Sequence, residues 1–512
     1  MYKKNIVSFS IVLLLLFILT FSCVAFTAGT SGSVVTYTQE NKEILEKLEA
    51  DGKPAEVLPE GLIPPEDNRN TDLRSKLDKM IDEYAPRMAE MSDWEYYNPE
   101  SGHNEYETSK MLGGELEKYN FEVTYGVEGL EEEFSSVIQE KFNTTKGLPT
   151  ALVAKYKGKS EHPVIAFMFE ADALKASTRE KGAFQGCQHN MQGPVALGAA
   201  INLAKLMEEN NLPGSVWAIL TPAEEPAPPI KPLMAKAGVF DGVDVLLRSH
   251  GFGHEAKISK SGIGNCCMLC DNALYEFYGK SAHGARAWQG RDALDAARLF
   301  LDAVDMQREH SEPEFRSMSA ITKTAGNESN VVCDYVRVDH ENRNSDPAGQ
   351  KALYEKGKNT DLIAQGAAMA TFCEVKIRHY GYYYNAIEYG WLNNLMWEYV
   401  KEYGDSEAIS EELDEPSGWD EGGYASVNTP GVTVVPAIAN VPELAGHSDE
   451  NADITITEVG HKALVQTAKI SGAMALRLIL DPKLLATVKE EQVRWQEYGL
   501  KSGLLTEDMV RK

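Results

Sequence analysis

Basic residues are outnumbered in this chain: 50 Lys and Arg stand against 77 Asp and Glu, which leaves a formal charge of −27 over 512 residues. That deficit excludes the electrostatic footprint needed to bind nucleic acid or an anionic membrane surface. Cysteine is scarce as well. Seven in the chain are too few to scaffold a protein of this size through disulfides. The one close group, Cys266, Cys267 and Cys270, has no second Cys-x-x-Cys to complete a metal site and lies in an apolar run, so it reads as buried strand cysteines. Internal repeats are missing, and no second membrane-spanning segment follows the N-terminal one. With 43% apolar and 25% charged residues, what is left is a globular chain with a large core, too long for one compact domain.

The chain opens with Lys3 and Lys4, then an uncharged apolar run from Ile6 to Ala28. A basic start before an apolar core is the pattern of a signal peptide, here residues 1–25 with cleavage after Ala25, and it predicts an exported protein, secreted or periplasmic. Left uncleaved, the same run of about 20 residues would serve as an N-terminal membrane anchor. Residues 26–70, with Gly, Ser and Pro around one short charged helix (Asn41 to Ala50), read as a linker or wrapping segment.

Residues 71–265 begin with a helix from Thr71 to Met91, carrying Leu73, Leu77, Met80, Ile81 and Tyr84 at helical spacing. The apolar runs ALVAKYK, PVIAFMF, SVWAILTP and VDVLLRSH then alternate with helical stretches. Such alternation predicts an α/β fold with a mainly parallel sheet, and these sheets bind ligands outside the carboxyl ends of their strands. Residues 266–380 change rhythm to β-α-β-β-α-β, a ferredoxin-like α+β unit inserted into the first domain. Residues 381–512 resume the strand-helix pattern and end in a charged amphipathic helix that packs on the surface.

Four strand ends carry candidate ligands. PVIAFMF is followed by Glu170 and Asp172 and then by Cys187 and His189; SVWAILTP runs into Glu224 and Glu225; VDVLLRS ends at His250; TVVPAIANVPELAG precedes His447. Singly, each has an ordinary explanation, because strand-end histidines commonly make structural hydrogen bonds and adjacent glutamates commonly face solvent. Their recurrence at successive strand ends of one sheet points instead to a shared metal site. Thiolate, imidazole and carboxylate suit zinc or a similar divalent ion, and a glutamate beside a ligand glutamate lets one hold metal while the other moves protons.

Taken in order, GCQHNMQGPVALGAA, LTPAEE, GVDVLLRSH, YGKSAHGARAWQGRDALDAA, ESNVVCDY and AGHSDEN resemble the motifs of the M20 metallopeptidase family, in its amidohydrolase branch of aminoacylases, hippurate hydrolases, auxin-conjugate hydrolases and aminobenzoyl-glutamate hydrolases. The resemblance runs from Leu73 to Pro482. It implies two divalent ions, zinc or manganese, held by Cys187 as a bridge and by His189, Glu225, His250 and His447, with Glu224 as general base. It also implies that the inserted domain acts as lid and homodimer surface, that His283 reaches into the neighbouring subunit's site to steady the oxyanion, that Asn330 lies near substrate, and that Asp172 orients a ligand. The chain departs from the usual CGHDxH pattern at Gln188, Asn190 and Gln192. It also has Glu170 where an aspartate is usual, Arg286 where a small residue is common, and PAPP after AEE in place of glycines.

The reaction so implied is hydrolysis of N-acyl or aromatic-acyl amino acids. Glu224 takes the proton of a metal-held water, the amide carbonyl is attacked, and the proton passes to the leaving amine. A dipeptidase or carboxypeptidase is the rival on the same residues, since both cleave an amide next to a free carboxylate. A metal-binding protein with decayed catalysis is the rival of another class, and the retention of five ligand positions and Glu224 counts against it. The expected partner is a small N-acyl amino acid or dipeptide.

Overall fold

The computed structural model describes residues 53–59, 61–130, 147–226, 230–265, 267–325, 328–383, 385–414 and 423–511. The signal peptide and the short helix expected at Asn41 to Ala50 lie outside the described residues. Helix α1 (Asn68–Tyr97) starts at Asp67, whose carboxylate accepts the Asn70 N–H at 2.8 Å and caps the first turn. Leu73, Leu77, Ile81, Tyr84 and Met88 fall on one buried stripe. After α2 (Tyr106–Glu117) come β1 (Glu122–Tyr125) and β2 (Leu152–Lys157), an antiparallel pair.

Next follow β3 (Val164–Phe169), α3 (Gln192–Asn210), β4 (Ser215–Leu220), the short α4 (Lys231–Lys236) and β5 (Val245–Ser249). Every residue of β3 is buried, as a strand covered on both faces must be. On one face Ile165, Phe167, Phe169, Val216, Leu220 and Leu247 join the main core with α1 and α3. Ala166, Met168, Ile219 and Leu246 pack on the other against Ile230, Leu233 and Met234.

The next stretch holds β6 (Leu269–Tyr278), α5 (Ala293–Arg308), β7 (Phe315–Thr324), β8 (Tyr335–Asn344), α6 (Gln350–Ala370) and β9 (Glu374–Tyr383). These strands form their own antiparallel sheet in the order β7-β8-β6-β9. Tyr275, Phe277, Phe300, Val336 and Val338 knit one face to the two helices. Alternation turns Arg337, Asp339, Glu341 and Arg343 of β8 to the other. The edge strand β7 is exposed along most of its length. Cys270 is free and buried in β6, but Cys267, ahead of the strand, is disulfide-bonded, so the expectation of buried strand cysteines holds for one of these two.

Finally α7 (Gly390–Tyr403), β10 (Gly431–Val434), α8 (Glu458–Leu480) and α9 (Pro482–Ser502) return to the first sheet. That sheet has the order β1-β2-β4-β3-β5-β10, with β3, β4, β5 and β10 parallel. From β3 the chain goes to β4 on one side and comes back to β5 on the other, so the carboxyl ends of these strands frame a crevice. Helix α8 is long and apolar enough to cross a membrane by length and composition, yet 83% of its apolar window is buried inside the protein. Helix α9 does more than cover the surface, because its Trp495 is wholly buried.

Candidate metal centre

Each loop that leaves a parallel strand bends sharply at the crevice. Gln188 (φ 62°), between Cys187 and His189, takes left-handed backbone, and so do Ala223 (φ 56°), just before Glu224, and His447 (φ 61°). Non-glycine residues hold that conformation only where their surroundings impose it. At Ala223 the imposing group is Glu105, whose carboxylate accepts the Ala223 N–H at 2.7 Å and the Thr150 hydroxyl at 3.0 Å.

These bends bring the candidate ligands together. The ligand atoms of Cys187, His189 and His250 lie within 4.8 Å of one another, as do those of Cys187, Glu225 and His447, and those of Glu170, His189 and Glu224. Cys187 belongs to two of the three groups, with its Sγ 3.6 Å from His250 Nε2. His189 Nδ1 donates to the Asp172 carbonyl at 3.0 Å and lies 3.2 Å from Asp172 Oδ1. Its proton is thereby fixed on Nδ1, and Nε2 is left as a lone pair facing the cluster. That Nε2 and Glu225 Oε1 are buried without a hydrogen-bond partner. Orphaned acceptors amid sulfur, imidazole and carboxylate donors fit a divalent cation. Asp172 also accepts the Glu225 N–H through Oδ2 at 3.0 Å, so one carboxylate orients two neighbours.

Beneath the cluster lies a cation of the protein's own. Lys231, fully buried, reaches Glu170 Oε1 at 2.6 Å, while Gln192 donates to Glu170 Oε2 at 2.8 Å. Burial opposes ionisation of Glu170, but the Lys231 ammonium holds its carboxyl well below the usual carboxylate range. Glu224 goes the other way: burial and the charge of Glu170 push it well above that range. Burial also raises Glu225 to about 7 and Cys187 to about 12. A cation entering here would displace those protons.

Above the cluster opens a cavity of about 740 Å³, walled by Cys187, Glu224, Glu225, His250 and His447 together with Phe252, Glu255, Glu341 and Arg343. His189 and Asp172 sit buried behind that wall. His283 and Asn330 are not brought to it. They lie side by side in the inserted segment, where the Gly284 N–H donates to the Asn330 carbonyl and the His283 ring caps Ala285 N at 3.0 Å. Sequence reasoning missed Glu105, Lys231, Glu341 and Arg343. Lys231 carried no local signal either, since its short helix KPLMAK holds a second lysine, Lys236.

No family model matches the chain. The Xaa-Arg dipeptidase of Mus musculus is 28% identical over 434 residues, spanning 82% of this chain and 92% of that protein. One of the polypeptides of the p-aminobenzoyl-glutamate hydrolase of Escherichia coli (strain K12) is 28% identical over 350 residues, spanning 66% of each. Among solved structures, the aminobenzoyl-glutamate utilization protein from Klebsiella pneumoniae superposes with a TM-score of 0.53 at 18% identity, covering 78% of this chain and 98% of that one, a likeness of fold. Crevice, donor cluster and relatives define the class: a hydrolase of amide C–N bonds whose site suits divalent metal. Within that class the likeness to a dipeptidase and to both polypeptides of an aminobenzoyl-glutamate hydrolase agrees with the resemblance of the motifs to the M20 amidohydrolases.

Proposed function

We propose that the chain hydrolyses the amide bond of N-acyl or aromatic-acyl amino acids, with two ions, zinc or manganese, held by Cys187, His189, Glu225, His250 and His447. The observation that carries this reading is convergence: Cys187, Glu225, His250, His447 and Glu224 line one cavity, and His189 stands buried behind them with its Nε2 orphaned. When bound, the ions supply Lewis acidity and a water of lowered pKa. Glu224 is the general base. Its raised carboxyl suits it to accept a proton near neutrality and to return it to the leaving amine. Asp172 keeps His189 turned inward. Arg343, in the cavity wall, offers a guanidinium to the free carboxylate of the substrate.

In this reading residues 71–265 and 381–512 form the catalytic domain, and residues 266–380 are a ferredoxin-like lid that closes from the side of Glu341 and Arg343 and excludes water. The exposed edge strand β7 offers a surface for a homodimer, in which His283 steadies the oxyanion in the opposite cavity and Asn330 approaches substrate. Export follows from residues 1–25, with anchoring to the membrane where they are not cleaved.

A dipeptidase is the second reading. It is favoured by the relative that aligns over 92% of its length, an Xaa-Arg dipeptidase, and by Glu255 and Glu341 in the cavity wall, where a basic residue would find partners. Purified protein assayed on N-acyl amino acids and on unblocked dipeptides decides between them, and turnover of dipeptides alone overturns the first reading.

A further inference from the structure

We propose that Gln188 and Asn451 form a two-amide latch that locks the three loops bearing Cys187, His250 and His447 in register, which makes both of them positioning residues for the metal centre. The proposal rests on the metal reading above. Gln188 Oε1 accepts the N–H of Phe252, two residues past His250, at 2.8 Å. Its Nε2 donates to the Asn451 carbonyl at 3.1 Å and to Asn451 Oδ1 at 3.0 Å, four residues past His447. Asn451 Nδ2 donates in turn to the carbonyl of Gly186 at 2.7 Å, next to Cys187. The same carbonyl receives the His447 N–H at 3.0 Å. The hydrogen bonds tie the Cys187 loop to both of the others, and Gln188 uses both ends of its amide.

Two features show that the loops are shaped around this amide. Gln188 is 2% exposed at a left-handed position, φ 62°, where glycine would relax the backbone and where the family resemblance places glycine. Opposite it, Gly251 leaves the room: a Cβ there would stand 2.3 Å from Gln188 Oε1. The latch matters most for His447, whose side chain is 56% exposed, so that little burial fixes its place. The loop before it, residues 435–446, has no helix or strand of its own.

The test uses the purified full chain and the variants Gln188→Gly, Asn451→Ala and their double. Metal-free protein is titrated with Zn²⁺ or Co²⁺ against a chromophoric chelator, the visible spectrum of the Co²⁺ form is recorded, and the melting temperature of the metal-free form is measured. Each single variant is expected to bind metal about 10- to 100-fold more weakly, as loss of groups that orient ligands generally does, and to change the Co²⁺ spectrum. The double should lose less than the sum of the singles, because both variants break the contact between Gln188 and Asn451. Unchanged metal affinity in Gln188→Gly, or a double whose loss is the sum of the singles, overturns the latch. A lower melting temperature with unchanged metal affinity does so too, since that is the mark of a merely structural glutamine. Should Gln188→Gly fail to fold, Gln188→Met removes all three side-chain hydrogen bonds while keeping the side-chain length. A parent protein that takes up no divalent ion overturns the metal reading instead, which separates the two failures.

Discussion

At the floor of the cavity, Lys231, Glu170, Gln192 and His189 are all buried, and charge stands against charge at 2.6 Å. At its mouth, His447 leaves more than half its side chain in solvent and is carried by a loop outside any sheet. The two regions serve one centre through different physics. On the floor a residue's place is set by the cost of burying an unpaired charge, so a change there should be felt by the whole fold. At the mouth a residue's place is set by loop hydrogen bonds, so a change there should be felt by the metal and hardly by stability. Glu224 lies between, buried like the floor yet facing the cavity.

Glu224 offers the largest effect and marks the border. Glu224→Gln should lower turnover of an N-acyl amino acid about 100- to 10,000-fold, with metal content by elemental analysis unchanged; turnover at the parent rate would remove the base assignment. Lys231→Met is next. It strands Glu170 as a buried charge and should cost about 3–5 kcal/mol in urea denaturation, most of it recovered when Glu170→Met is added. A small cost for the single variant would erase the floor as a distinct region. His447→Ala should weaken metal binding more than about 10-fold in a competition titration and leave the urea midpoint of metal-free protein where it was. A large drop in that midpoint would show the mouth to be as integral as the floor.

A further effect is a pH slope set by Glu105, buried behind the site. Burial, and after it the charge of Asp172, raises Glu105 to about 8 from 4.5. Its folded pKa lies above its unfolded one, so the stability it contributes is fully present below pH 4.5 and is lost as pH rises through 8. Melting temperatures of metal-free protein should therefore fall over that window, and Glu105→Gln should flatten the slope; an unchanged slope would place the titrating group elsewhere.

The parts of this site that could be read in the sequence are those carried by local pattern. Cys187, His189, Glu224, Glu225 and His250 each end or follow a short apolar run, and the alternation of runs with helices foretold strand ends at one crevice. The parts that could not be read depend on contacts across the chain. Gln188 meets Asn451 across 263 positions, and Glu105 meets Ala223 across 118. No period or spacing encodes such a meeting, and a glutamine between two candidate ligands looks like any polar loop residue. Asn190, a departure from the family pattern, is likewise explained only in three dimensions, where its amide reaches Ser92 and Thr455. Arg343 and Glu341 were hidden differently: they lie on β8, and which of its faces meets the cavity follows from how two sheets sit together.

Helix α8 carries a consequence for how such a chain is made. Its 23 residues are apolar enough for a lipid bilayer to accept them, and the native protein instead hides them between α1, α3 and α7. If the chain is exported as proposed, that stretch is a second candidate for lateral release into lipid, and translocation and folding would compete for it. Its lateness in the chain, residues 458–480 of 512, tips the contest, because every strand of the sheet that receives it has already emerged. In an exported chain, trimming the apolar character of α8 would ease passage and loosen the core in one step, and secretion yield would then report on the packing.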